Sequence, residues 1–267
     1  MHEKKDFWQS FAVLLALGLI GVLTLPIVIL PSLALVQQTQ PELVTLPIPL
    51  LVILSMLQPA MLLAIAVAIG CLLAHQTGLV SLLSDKMTRH TPVWPRLSST
   101  VPQSAALGLL LAALITLLDR LFLPFMGAEF QSLVSAEGNP YLQLVLGLLY
   151  GGITEELLLR WGLMSLFVWL GCLVAKRISK QSAPVCQPTP VIAWSAIVLA
   201  AILFGLGHLP ALAASVTLTT PIILRTVLLN ALGGLVFGWL FWRKNLESAM
   251  IAHAMTHVGF FIIGMIL

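Results

Sequence analysis

Two adjacent acids, Glu155 and Glu156, stand in the stretch GGITEELLLRWG, and Arg160 follows four residues after the second. On a helix Glu156 and Arg160 share a face, with the acid N-terminal to the base, the better order for an ion pair. Glu155 points about 100° away from that face. A structural ion pair accounts for Glu156 and Arg160 but leaves Glu155 over. A free carboxylate facing a cavity could serve as a general base.

Two further stretches supply imidazoles. FGLGHLP spaces Phe204 and His208 by four residues, and AHAMTH spaces His253 and His257 by four. Taken alone, His208 reads as a packed or interfacial residue near a helix end. The i,i+4 pair stacks both rings on one helix face. Such a pair can bind a metal, donate hydrogen bonds to a developing oxyanion, or simply bond backbone carbonyls. The chain has no HExxH, GxGD or GxSG, so adjacent glutamates with separated histidines are its hydrolytic set.

The elements that carry these residues must lie in lipid. Of 267 residues, 59% are hydrophobic and 9% charged, where a soluble domain carries about 25% charged residues. Apolar runs long enough to cross a bilayer fall at about 8–31, 47–74, 100–125, 140–176, 191–210, 219–242 and 246–267. The fold expected is all-α, a polytopic transmembrane helical bundle of about 7–8 spans in a single domain, 1–267. The run 140–176 is too long for one upright crossing, so it is tilted, kinked near Gly162, extended past the membrane, or split in two. The first run is read as a retained span. Ionisable groups inside a bilayer cost roughly 2.5–3.5 kcal/mol each on insertion scales, which makes the acids and histidines functional candidates.

The net charge of +3 does not imply nucleic acid, because the basic residues sit in connections between spans. Lys4 and Lys5, then Lys86, Arg89 and Arg96, then Lys176, Arg177 and Lys180, then Arg243 and Lys244 fall on alternate connections. That alternation places the N-terminus in the cytoplasm and the C-terminus outside. Cys71, Cys172 and Cys186 are scattered, an odd set that argues against a disulfide framework or a thiolate zinc site. Asp119, Arg120 and Arg225 are expected to reach the interface by snorkelling. Asn230 reads as an interhelical hydrogen-bond donor, and Gly234 with Gly238 as a close-approach face. The pair Gln58–Pro59 should bend the second span.

Glu-Glu-x3-Arg, then Phe-x3-His, then a closing His-x3-polar motif resembles the CPBP family, the CAAX-protease and bacteriocin-processing (Abi) membrane proteins. The type II CAAX prenyl endopeptidases belong to it. The likeness covers about residues 140–260, the CPBP-like catalytic core. Two positions depart from the family pattern: Trp161 stands before Gly162, and His257 stands where the family usually has Asn or Asp.

The resemblance implies an intramembrane endopeptidase, either metallo- or glutamate-dependent, in a prokaryotic plasma membrane. Glu155 and His208 would activate water, Glu156 with Arg160 and Phe204 would support the site, and His253 and His257 would stabilise the oxyanion. A divalent metal such as Zn could sit among Glu155, His208, His253 and His257. The expected partners are membrane lipid and a peptide or protein substrate, lipidated or not. The alternatives are a non-proteolytic scaffold or bacteriocin-immunity factor of the same fold and, third, a proton-coupled transporter. At 1.5 Å per residue, His208 falls about 10 Å deeper than Glu155 and His253, a mismatch that the fold must resolve.

Overall fold

The structure, a computed structural model, describes residues 2–39, 42, 46–135, 138–179 and 186–266. Lys180 and the rest of the 180–185 connection lie outside the described residues, as do 40–41, 43–45 and 136–137. Seven helical stretches are long and apolar enough to cross a membrane: Lys5–Gln38, Ile48–Thr77, Val101–Phe125, Pro140–Ile178, Pro190–Ala213, Thr220–Arg243 and Leu246–Ile266. They are numbered below as spans one to seven. No strand occurs among the described residues. The chain is a multi-pass integral membrane protein, with seven such spans among the described residues.

Span one differs from the single expected helix. Helices His2–Val22 and Pro26–Thr39 are separated by a short turn. Pro26 cannot donate a backbone hydrogen bond and disfavours helical backbone before it. The Val22 carbonyl, which its N–H would have served, takes the Leu25 amide instead at 3.1 Å, and the Thr24 hydroxyl donates to the Gly21 carbonyl at 2.6 Å. Span two passes through Pro59.

Span four is one continuous crossing element, which settles the choice between one helix and two. It is wound as π-helix over Gly147–Glu155 and Leu157–Met164. Wide turns of this kind commonly mark functional sites. Small residues let neighbours seat against it. A Cβ at Gly162 would strike Ala66, and one at Gly70 would strike the Trp161 ring. The extra bulk of Trp161 is thus lodged in span two. The Thr154 hydroxyl donates to the Gly18 carbonyl at 2.7 Å, tying span four to span one.

Spans five and six run antiparallel in close contact. Gly234 lies against Ala201, and Gly238 against Ile197, as the small-residue spacing predicts. Spans three and seven also pack tightly, with Gly108 on Ala252 and Gly259 on Ala112. At the lysine- and arginine-rich end, Glu247 accepts hydrogen bonds from the Ser81 hydroxyl and the Leu82 and Leu83 amides, at 2.7, 2.9 and 3.0 Å. These caps fix the start of span seven against the helix Leu82–Arg89. At the opposite end Met126, Phe130, Val216 and Ile222 form a small separate core.

Three sequence expectations are corrected. Cys172 and Cys186 form a disulfide, and Cys71 is free. The Cys186 amide donates to the Gln76 carbonyl at 2.9 Å, folding that segment back over span two. A separation of 14 residues gave no pairing signal. Asn230 donates within its own helix, to the Thr226 carbonyl at 2.8 Å, not across to another. Asp119 and Arg225 do not reach separately for the interface, because they bind each other at 2.6 Å.

Candidate active site

The lower-energy way to place an arginine inside lipid is to give it an acid and fixed partners. Arg160 is fully buried, with Nε 3.2 Å from Glu156 Oε2. Nη2 donates to the Gly234 carbonyl at 3.2 Å, and the guanidinium carbon lies over the Phe204 and Phe237 rings at 5.2 and 5.4 Å. Gly234 therefore does two things: it lets spans five and six approach, and it exposes a carbonyl to Arg160. The ion pair is close but poorly aligned, so Glu156 Oε2 and Arg160 Nη1 make no hydrogen bond.

Glu156 has a second partner that its spacing to Arg160 did not reveal. Its Oε1 lies 2.8 Å from His253 Nδ1. Paired with Arg160, this carboxylate is the acceptor, and Nδ1–H of His253 is the donor. That leaves Nε2 of His253 pointing the other way, 3.8 Å from Glu155 Oε2. Phe237 stacks on the His253 ring at 4.5 Å and 18°, holding its plane.

His208 is oriented by the same device. Its Nδ1 lies 2.8 Å from the Phe204 carbonyl, which can only accept, so Nδ1 carries the proton. Phe204 also meets the His208 ring edge-on at 4.8 Å. The ring folds back along its own helix by one turn, as helical side chains tend to do. This fold-back recovers about 5 Å, one helical turn, of the roughly 10 Å mismatch expected from span lengths. Nε2 of His208 comes to 4.0 Å from Glu155 Oε1.

Glu155 thus faces two imidazole nitrogens, each through a different oxygen. Both separations are too long for a direct hydrogen bond. All three groups present lone pairs to one gap, so a small donor such as water fits there. His257 stacks on His253 at 5.2 Å and 19°. It can lie flat on span four only because Gly147 and Gly151 lack side chains, since a Cβ at either would collide with its ring. No hydrogen bond fixes His257 among the described residues. Glu155, His208, His253 and His257 share the wall of one cavity of about 550 Å³, with Tyr150, Phe204 and Phe237 beside them.

All the residues singled out by type and spacing therefore come together: Glu155, Glu156, Arg160, Phe204, His208, His253 and His257. Phe237, Gly147, Gly151, Asp119 and Arg225 join them. Phe237 and the glycines gave no sign of it, being ordinary residues of an apolar span. Asp119 and Arg225 were visible only as charges out of place.

Two imidazoles and a carboxylate are a donor set that zinc accepts. As placed, no group of three or more His, Cys, Asp or Glu among the described residues could hold a metal ion.

No curated protein and no solved structure matches the chain. A family model does match, described as type II CAAX prenyl endopeptidase Rce1-like, over residues 137–259. The matched stretch contains every residue of the Glu/His cluster. Over that stretch the chain is similar to the type II CAAX prenyl endopeptidase (Rce1-like) family.

Proposed function

We propose that the protein is an intramembrane endopeptidase in which Glu155 activates a water molecule for attack on a peptide carbonyl. The observation that carries this reading is the convergence of His208 Nε2 and His253 Nε2 on Glu155, at 4.0 and 3.8 Å, in the wall of a cavity. A water in the gap donates one O–H to Glu155 and the other to an imidazole Nε2. Attack forms the carbon–oxygen bond as the water proton passes to Glu155. Collapse of the tetrahedral intermediate breaks the carbon–nitrogen bond, and Glu155 returns that proton to the leaving amine.

Roles for the histidines follow from their ring nitrogens. With Nδ1–H held by Glu156 or Phe204, His253 and His208 offer accepting Nε2 atoms that orient the water. His257 has no such tether and supplies the N–H for the oxyanion. This differs from the role that the resemblance implies for His253, because its Nε2 carries no proton while Nδ1 donates to Glu156. Glu156 and Arg160 act through His253 by setting its tautomer and angle, as second-layer carboxylates do for other histidines.

The substrate is a membrane-associated peptide or protein, which a lipid modification could recruit. The alternating basic connections favour a cytoplasmic N-terminus, in keeping with a prokaryotic plasma membrane. The test is cleavage by purified protein in proteoliposomes. Lipidated and unlipidated peptides would be offered to wild type, to Glu155→Ala and to chelator-treated protein. Cleavage by wild type and its loss in Glu155→Ala support the reading. Equal behaviour of the two proteins overturns it and favours a scaffold. The chelator arm reports separately whether a metal takes part.

A further inference from the structure

The cavity has a second charged end. Asp119 on span three and Arg225 on span six line the same 550 Å³ space as Glu155 and the histidines. Two ionised groups near the far end of apolar spans are costly to keep. Their geometry is lopsided. Arg225 Nε and Nη2 both approach one oxygen, Asp119 Oδ1, at 2.7 and 2.6 Å. The guanidinium is braced from one side by the Phe130 ring, 5.3 Å from its central carbon. Asp119 Oδ2 and Arg225 Nη1 make no hydrogen bond among the described residues. Both side chains remain partly accessible, at 33% and 21%.

We infer that this pair is a docking subsite for one residue of an extended substrate backbone, a reading that rests on the proteolytic one above. Nη1–H donates to that residue's carbonyl, and Oδ2 accepts from its own N–H. One donor and one acceptor, held side by side, match these two groups, which point to the same side of an extended strand. The pair carries no net charge, and Asp119 would repel a substrate carboxylate. It therefore selects a neutral backbone segment rather than a charged terminus, and it does so without reading side chains.

The spacing gives the register. Arg225 precedes Phe237 by 12 residues on one helix, and Phe237 stacks on His253. That rise is about 18 Å. At roughly 3.3–3.6 Å per extended residue, and allowing for the reach of the arginine, the residue held lies about three to five residues from the scissile bond.

The probe is a fluorescein-labelled Leu/Ala peptide, presented in nanodiscs as the parent and as single backbone N-methylated versions. Binding is read by fluorescence polarisation on the Glu155→Gln protein, with and without Asp119→Asn, and cleavage is read on wild type. Because a lone charge left in the bilayer could unfold the protein, the paired variant Asp119→Leu/Arg225→Met is run alongside. One N-methyl position should weaken binding about tenfold, and the same change should cost the Asp119 variants nothing further. The paired variant should raise KM with kcat kept.

If no position is coupled to Asp119, or if the paired variant lowers kcat alone, the subsite is refuted. Wild type that cleaves no peptide refutes the proteolytic reading. The polarisation scan still decides the subsite in that case, since a Glu155→Gln protein that binds no peptide overturns it.

Discussion

His253 Nδ1 lies 2.8 Å from Glu156 Oε1, and this single contact turns the opposite nitrogen of the ring toward Glu155. The two adjacent glutamates thus serve different ends of one imidazole. Glu156 holds it, and Glu155 works across from it. Breaking the contact should uncouple stability from chemistry in a measurable way.

Glu156→Gln and Arg160→Met each leave one buried charge without its partner. Loss of one member of a buried pair typically costs about 3–5 kcal/mol. Each single variant should therefore unfold at lower denaturant in a detergent-micelle titration. The double variant should recover much of the loss. Stability in the double variant no better than in the worse single one would show that the pair is not the reason both charges are buried.

His257 offers a test of the oxyanion role. His257→Ala should lower kcat by about 10²–10³, the usual cost of one oxyanion donor. His257→Asn keeps an N–H donor and should stay within about tenfold of wild type. A His257→Ala protein with unchanged kcat would leave the ring a packing role only.

Gly147 and His257 should also be coupled. A Cβ at Gly147 meets the His257 ring, so Gly147→Ala should lower activity and destabilise by about 1–3 kcal/mol. Adding His257→Asn, a smaller side chain, should restore both. Additive losses in the double variant, measured by kcat and by unfolding midpoint, would contradict the packing account.

The architecture was largely legible in the sequence, because lipid imposes a pattern that length and hydropathy expose directly. Seven to eight spans and the four-residue spacings of Glu156–Arg160, Phe204–His208 and His253–His257 could be read from it. What could not be read depends on how helices face one another. The Glu156–His253 bond crosses 97 positions and the Asp119–Arg225 pair 106, and no local spacing announces either. The π-helical winding of span four changes which residues share a face, and its glycines matter only because His257 arrives from span seven. The break in span one at Pro26 was not read from the sequence, where 8–31 stood as a single span.

The Cys172–Cys186 disulfide sits on the lysine- and arginine-rich face, which the charge pattern assigns to the cytoplasm. Thiols there are kept reduced. With that orientation, both cysteines should be free in intact cells, trapped by a membrane-permeant maleimide, and joined only after isolation in air. A pair already oxidised in intact cells would reverse the orientation.

The most direct test of the central claim is single-turnover cleavage by Glu155→Gln in proteoliposomes, with helical circular dichroism and thermal midpoint recorded on the same sample. Removing the base while keeping size and shape should lower the rate by about 10²–10⁴, with both structural signals unchanged. A folded Glu155→Gln protein that cleaves within a few-fold of wild type would contradict the assignment of Glu155 as the group that activates water.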